Sequence, residues 1–408
     1  MCKNSMKILV INCGSSTLKF QLVETTANSA SMGRPHKLAR GLVDRIGGPA
    51  SCHFEVAGST PVENRLTIDD HEKAVALVIQ WLNSMPELRS IDAVGHRIVH
   101  GGDQFTTAAW IDDRMVETLD SLCELAPLHN PAGVSGIRAA RKVLGKTMPM
   151  VAAFDTSFHH TLPETARTYA IPREIALKHG IRRYGFHGLA HQYSVMCYGE
   201  LTAMPPEQIN IVTLHLGNGC SACAIRGGTS VDTSMGFTPL EGLVMGTRSG
   251  DIDPAVVPFL ARKEEVSADE VENWLNKRSG LLGLSGISND MRELTAAYNQ
   301  DPRARLAVDV FCYHARKYLG AYLAALGGAD AVVFSGGIGE NSPLVRAKIC
   351  ADMSWCGLRL DSAANDALIG SDGCIAQPRS AVKAYVVHTD EESIIARETA
   401  RVLTERTK

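Results

Sequence analysis

The sequence predicts an α/β fold built twice in one chain, and three observations predict it. First, the stretches Ile8–Leu22 and Ile211–Ile225 align without gaps, with Gly14 on Gly217, Ser15 on Asn218 and Ser16 on Gly219. Each reads as a buried strand, a tight Gly/Ser/Asn turn and a second strand. The two turns lie 203 positions apart in a chain of 408 residues, as a duplication would place them. Second, strand and helix patterns alternate from the first hairpin to Asp155, the signature of a layered α/β sheet. Third, apolar strands run into glycine turns at 14–17, 217–219 and 336–341. Turns of that composition aim backbone N–H groups and small hydroxyls into a concave space that suits phosphate oxygens. The two hairpins are expected to face each other across a cleft.

The elements follow in order. After the first hairpin, residues 24–60 are polar and Gly/Ser-rich with weak strand signals. Asp69 and Glu72 resemble a capping box before the helix face Ala74, Leu77, Val78 and Trp81, which Pro86 closes. Ile91–Gly102 is a short buried strand running into a glycine turn. It places His96, Arg97 and His100 at its C-terminal end, where α/β sheets present ligand groups. Met115, Leu119, Leu122 and Leu125 mark a helix stopped by Pro127; an Ala-rich helix then runs to about Val143. Met150–His160 reads as another strand, with the carboxylate of Asp155 at its end. Pro163, Pro172 and the pair Arg182–Arg183 mark a change of character, so a domain boundary is expected just after Asp155. Tyr184–His191 leads into another helix. The second hairpin is followed by a glycine-rich loop, 234–254, that carries Arg248. So glycine-rich a loop reads as functional. Asp301, Pro302 and Gly327–Gly328 bracket a helix from Pro302 to Leu326. The expected division is residues 1–155 with 388–408 as one domain and 156–387 as the other.

Composition excludes several classes. An apolar share of 45% and a charged share of 21% are those of an ordinary globular chain. The 41 basic and 44 acidic residues are well mixed, so neither a nucleic-acid tail nor a membrane patch is expected. No apolar run approaches the roughly 18 residues of a membrane span, and the N-terminus reads as no signal peptide. Eleven cysteines, an odd and scattered set, do not form a disulfide framework and fit a cytoplasmic, reducing setting. Cys220 and Cys223 have CxxC spacing, but they fall on one strand and no second CxxC exists. They read as packed small residues rather than a redox or zinc pair.

The remaining motifs suit phosphoryl transfer, which needs cations on the transferred group, carboxylates for a metal and an aligned acceptor. None of the glycine turns is a Walker loop, and Gly337–Gly339 does not complete a dinucleotide fingerprint. Arg97, Arg248 and His187 are the candidate cations, with His129 a further donor to a charged transition state. Asp155 and Glu391, each just past an apolar strand, are the candidate carboxylates for Mg²⁺. His187 and His191 have the i, i+4 spacing of a zinc pair but lack an evident third ligand.

These motifs resemble the acetate kinase family. The resemblance rests on the hairpin 10–20, Gly95–Gly102, Phe154–His159, Arg183–Gly188, His215–Gly219, Met245–Asp251 and Gly336–Asn341, and runs in order from residue 7 to about 400. It implies a duplicated ribonuclease-H-like fold of the actin, Hsp70 and sugar-kinase type, a homodimer, and transfer of the ATP γ-phosphoryl group to acetate. Propionate is the alternative acceptor. It further implies that Arg97 and Arg248 hold the carboxylate and the transferred group, that His187 stabilises the transition state with His129 close by, and that Asp155 is the essential acid near Mg²⁺. Mn²⁺ is an alternative metal. By the same resemblance Asn12 and Glu391 are metal-linked, Ser15, Thr17 and Lys19 form the first phosphate hairpin, and His215, Leu216, Gly217, Asn218 and Gly219 form the second. Asp290, Met291 and Arg292, with Gly336, Gly337, Ile338, Gly339, Glu340 and Asn341, match the adenosine side of an ATP/ADP site. Val99, Leu128, Phe186 and Pro239 match the pocket for the acetate methyl. Three positions depart from the family pattern: Thr17 stands for serine, Leu189–Ala190 for Thr–Ser, and Asp390 for asparagine beside Glu391.

Overall fold

A computed structural model describes residues 5–26, 35–127 and 129–406. The chain divides into two units, Met1–Phe158 with Asp390–Lys408, and His159–Thr389.

The first unit contains an eight-stranded sheet. Its strands are β1 (Ser5–Cys13), β2 (Thr17–Thr26), β3 (His36–Asp44), β4 (Gly48–Val56), β5 (Val62–Ile68), β6 (Ala93–Ile98), β7 (Ala109–Trp110) and β8 (Met150–Phe154), in the spatial order β5-β4-β3-β2-β1-β6-β8-β7. β1 to β5 form an antiparallel meander; β1, β6 and β8 are parallel. The polar stretch after the first hairpin, with the residues just beyond it, therefore contributes three strands. Its signal is weak because β5 is exposed along nearly its whole length and β3 has few buried positions.

The second unit contains a six-stranded sheet of β9 (Ile211–Leu216), β10 (Cys220–Arg226), β11 (Thr229–Thr233), β12 (Ala331–Ser335), β13 (Gly373–Cys374) and β14 (Lys383–Val386), ordered β11-β10-β9-β12-β14-β13. The run β3-β2-β1-β6-β8 in the first sheet matches β11-β10-β9-β12-β14 in the second, strand for strand and direction for direction. The three-residue turns Gly14–Ser16 and Gly217–Gly219 occupy the same place in each. The fold class is α/β with two mixed sheets, consistent with a duplicated fold.

Both sheets bury their faces under helices. In the first unit the helices His71–Asn83 and Asn130–Leu144 pack together, and Asn130–Leu144 also packs on β1 and β6. The C-terminal helix Glu391–Arg406 packs on β1, β2, β6 and β8. In the second unit Pro302–Leu326 packs on β9 and β10 and Gly188–Thr202 on β9 and β12. Helix ends follow their capping chemistry. Asp301 accepts from Arg303 N and Gly327 closes the helix in the left-handed region, as the sequence predicts. The first helix is capped by Asp70, which accepts from Lys73 N, and not by Asp69, whose carboxylate instead pairs with the Lys73 ammonium. The segment Gly336–Asn341, expected as a turn, is a short helix.

Close packing on β6 depends on Gly95. A Cβ there would lie 2.6 Å from Thr399 Oγ1 and 2.7 Å from Ile395 Cγ2 of the C-terminal helix. Gly95→Val should lower stability by about 1–3 kcal/mol through overpacking, read as a fall in the denaturant midpoint; an unchanged midpoint would contradict this docking. A second prediction concerns buried histidines. Burial pushes His96 down to about 3 and His159 down to about 4, and holds His191 well below the ordinary imidazole range. The folded chain keeps these rings neutral while the unfolded chain protonates them near pH ~6.5. Their contribution is fully present above that pH and is lost as pH falls from there towards the folded values. The urea midpoint should therefore drop between pH 7 and pH 5, and a flat profile would count against it.

Candidate active site

Each unit carries a cluster of chemistry-bearing side chains at the C-terminal ends of its central strands. In the first unit the cluster is built on β6, β8 and the start of the C-terminal helix. Arg97 donates from Nε to Asp155 Oδ1 at 3.0 Å and from Nη2 to Asp155 Oδ2 at 2.6 Å, a two-pronged pairing, while its Nη1 lies 3.3 Å from Glu391 Oε2. Burial works against the guanidinium's charge, but Asp155 and Glu391 outweigh it and hold Arg97 firmly protonated. The turn after β6 is fixed from both sides. Asn130 accepts from His100 N and donates to His100 O, both at 3.0 Å, and Thr156 Oγ1 accepts from Gly101 N at 3.0 Å.

Arg97, Asp155 and Glu391 thus come together as the sequence suggests, but Arg97 is not an open cation, because two carboxylates already occupy it. Glu392 joins the group; burial first, then Glu391, raises its carboxyl above the ordinary range. The sequence reading passed over Glu392. Asp155 and Glu391 together exceed the arginine in charge, and a pair of carboxylates suits a hard divalent cation completed by waters and phosphate oxygens. Asp390, the residue in place of the family's asparagine, is buried. It pairs with Lys37 at 2.8 Å and accepts from Ser393 Oγ at 2.5 Å, so its extra charge is neutralised where it stands. Asn12 and Lys19 pair across β1 and β2; Ser15 and Lys19 are exposed and Thr17 half-buried beside them. Val99 is half-buried after β6, and His129 stands at the N-cap of the helix Asn130–Leu144. Leu128 lies outside the described residues.

In the second unit the cluster surrounds the turn Gly217–Gly219. A Cβ on Gly219 would lie 3.2 Å from Arg248 Nη2 and 3.2 Å from His187 Cε1, so the arginine and the imidazole converge on this glycine and a side chain here would separate them. Asn218 is anchored as well: its carbonyl accepts from Gly246 N at 2.9 Å and its side-chain oxygen from Asn289 Nδ2 at 2.9 Å. Arg248 donates from Nη1 to the Pro239 carbonyl at 2.9 Å. Among the described residues it pairs with no carboxylate, and burial pulls its guanidinium below the ordinary arginine range. A half-buried cation with that environment suits an anion. The loop that carries it is clamped by Arg183, which donates to the carbonyls of Thr233 and Ser234 at 3.0 Å and pairs with Glu241; Glu241 also accepts from Tyr169.

His187 occupies the left-handed region (φ 57°) at the start of the helix Gly188–Thr202, where the apolar Leu189 and Ala190 supply no capping hydroxyl. Its Nδ1 shares a 2.9 Å hydrogen bond with Ser221 Oγ, and its ring lies 4.9 Å from that of His215. His215 Nδ1 meets Ser335 Oγ at 3.2 Å. Both nitrogens of His191 face hydroxyls, and no group of three or more histidine, cysteine or carboxylate side chains placed to hold a metal occurs among the described residues. Cys220 and Cys223 are buried thiols, Cys220 pushed up to about 12 by burial, in keeping with packed small residues. Phe186 is buried, and Pro239 is held through its carbonyl by Arg248.

On the expected adenosine side, Asp290 caps the helix Met291–Ala296 and pairs with the exposed Arg292, while the Met291 side chain is 3% exposed and belongs to the core. Glu340 is engaged within the protein: it accepts from Thr389 N at 2.9 Å and meets His388 Nδ1 at 2.6 Å. Gly336 N donates to Thr389 Oγ1 at 2.9 Å. The segment Gly336–Asn341, including Gly337, Ile338 and Gly339, is therefore tied to the strand end that leads to Glu391.

Comparison with known proteins agrees with this architecture. The sequence profile of the acetokinase family matches residues 7–397. An acetate kinase of Chloroherpeton thalassium is 47% identical over 97% of this chain and 99% of its own, and one of Solibacter usitatus is 49% identical over 98% of each. Among solved structures, Porphyromonas gingivalis acetate kinase aligns with a TM-score of 0.89 at 40% identity, covering 98% of this chain and 100% of the other. A propionate kinase from Francisella tularensis aligns with a TM-score of 0.88 at 37% identity over 96% and 98% of the two chains. The chain belongs to the acetokinase family.

Proposed function

We propose that the protein transfers the γ-phosphoryl group of ATP to acetate, reversibly, giving acetyl phosphate and ADP. The observation that carries this reading beyond family membership is Arg248, a half-buried guanidinium with no acidic partner among the described residues, converging with His187 on Gly219. An acetate oxygen attacks the γ-phosphorus while the bond to the β–γ bridging oxygen breaks, and ADP leaves. The acceptor is ionised at neutral pH, so no general base is required. Catalysis is positioning and electrostatic stabilisation. Arg248 and His187 address the charge on the transferred group, with His129 as a further donor, and the Gly217–Gly219 turn offers backbone N–H groups to phosphate oxygens. Arg97 orients Asp155 and Glu391, and a substrate carboxylate would compete for the same fork.

Asp155 and Glu391, with Asn12 near β2, are the residues that would hold Mg²⁺, with Mn²⁺ as a substitute. When bound, the metal neutralises charge on the nucleotide phosphates. Ser15, Thr17 and Lys19 belong to the same phosphate-facing role, and Asp290–Arg292 with Gly336–Asn341 to the adenosine side through backbone and exposed atoms. The family resemblance assigns Val99, Leu128, Phe186 and Pro239 to contact with the acetate methyl. A homodimer and cytoplasmic residence follow from the family resemblance, and the free thiols among the described cysteines suit a reducing compartment. The structural likeness to a propionate kinase favours one second reading, propionate as acceptor; one methylene in an apolar pocket is worth only about 1–3 kcal/mol.

A hydroxamate assay across acetate, propionate and butyrate tests both readings. Acetate should give the highest kcat/KM, with propionate second; failure to form any acyl phosphate would overturn the proposal. Arg248→Ala should lower kcat by about 10²–10³ while unfolding as the parent does, and near-parental turnover would remove Arg248 from the site.

A further inference from the structure

Behind His187 lies a chain of buried polar groups that the proposed chemistry does not use directly. Thr213 on β9 and Ser221 on β10 point to the same sheet face as His215, because Ser221 pairs with His215 and Cys223 with Thr213 across the ladder. The helix Gly188–Thr202 lays His191 against that face. Thr213 Oγ1 meets His191 Nδ1 at 2.7 Å, His191 Nε2 meets Ser221 Oγ at 2.8 Å, and Ser221 Oγ meets His187 Nδ1 at 2.9 Å. Thr213, His191 and Ser221 are each fully shielded from solvent.

We propose that Thr213, His191 and Ser221 are positioning residues that fix His187 as the tautomer carrying its proton on Nε2. The assignment follows from counting protons. His191 Nδ1 is the hydrogen-bond partner of the Thr213 hydroxyl, so a buried hydroxyl proton is satisfied only if Thr213 donates. That leaves His191 Nδ1 bare and, in a neutral ring, places the proton on Nε2, from which it goes to Ser221 Oγ. Ser221 then has a single proton and one remaining partner, and donates it to His187 Nδ1. A neutral His187 whose Nδ1 accepts must carry its proton on Nε2. The opposite chain would strand the Thr213 proton against a donor. The burial that keeps His191 neutral supports the direction.

The inference rests on the reading of His187 as the donor to the transferred phosphoryl group, and it deepens it: the donor is available from a neutral imidazole and does not require the imidazolium. The titratable groups around the chain are His215 beside His187, His159 beside His191, and the Arg248 guanidinium across Gly219. That cationic neighbour suits a neutral donor better than a second positive charge.

The test uses the full-length protein labelled with ¹⁵N-histidine, with His187 assigned by comparison with His187→Gln. Above pH 7 the imidazole ¹⁵N shifts should show His187 Nδ1 bare and Nε2 protonated. Ser221→Ala should let Nδ1 take up proton density and lose about tenfold in kcat, the worth of one buried hydrogen bond, with KM for ATP and acetate unchanged. Its activity should also fall as pH rises through about 6.5, since only the imidazolium then always carries the Nε2 proton; the parent should stay level there. Ser221→Thr keeps the hydroxyl and should restore both readouts. A parental His187 protonated on Nδ1, or Ser221→Ala with parental shifts and pH profile, would overturn the proposal. The NMR arm is independent of turnover, so absence of acyl phosphate formation would sink the functional reading while the tautomer is still decided.

Discussion

A positive charge with no carboxylate partner among the described residues is the constraint on which the proposed chemistry depends. Arg248 is half-buried, its nearest fixed acceptor is the Pro239 carbonyl, and no carboxylate among the described residues neutralises it. Taking a guanidinium out of water without compensation is costly, and the fold meets that cost by holding the loop around it rigidly. Arg183 and Glu241 clamp the strand end that leads into the loop, and Gly246 binds the Asn218 carbonyl. Gly219 leaves room for the guanidinium and the His187 ring to approach the same point. The other unit solves the opposite problem. There Arg97 sits among acidic groups, and the surplus is negative. One unit presents a cation that no carboxylate among its described residues neutralises, and the other a surplus of carboxylates.

The duplication explains how one chain carries both. In each sheet the central hairpin turns through three residues and is followed by two parallel strands whose C-terminal ends bear the polar groups. α/β sheets present ligands at such ends because the strands stop there and the following turns leave backbone groups unpaired. The two units then diverge in what the ends carry: Arg97 and Asp155 after β6 and β8, and Ser335 with the Gly336–Asn341 helix after β12. Similar topology with different strand-end residues gives the two units of a repeated fold different chemistry.

The sequence made the strand-end groups legible because they are local. A short apolar run, a glycine and a charged residue at its end are visible without knowing the neighbours, and Arg97, Asp155, His187 and Arg248 all declare themselves this way. The helix Pro302–Leu326 was legible for the same reason, since its caps lie in its own flanks. What was not legible depends on residues far apart in the chain. That Arg97 is spent on Asp155 and Glu391 requires β6, β8 and the C-terminal helix to meet. That Met291 is core and Glu340 is bound to His388 and Thr389 requires their neighbours too. The buried hydroxyls Thr213 and Ser221 carried almost no signal, because serine and threonine on a strand read as ordinary packing. Only the i, i+4 spacing of His187 and His191 pointed towards them. Strands β3 and β5 escaped a firm reading because largely exposed strands lose the apolar alternation that identifies them.

In the proposed reaction His187 is a hydrogen-bond donor and not a nucleophile, and transfer is a single displacement between ATP and the acid. The stereochemical course at phosphorus tests that most directly. With ATP made chiral at the γ-phosphorus by oxygen isotopes, a direct in-line transfer to acetate inverts the configuration of the phosphoryl group. Inversion is the predicted result; retention would require two successive displacements through a phosphorylated side chain and would contradict the account.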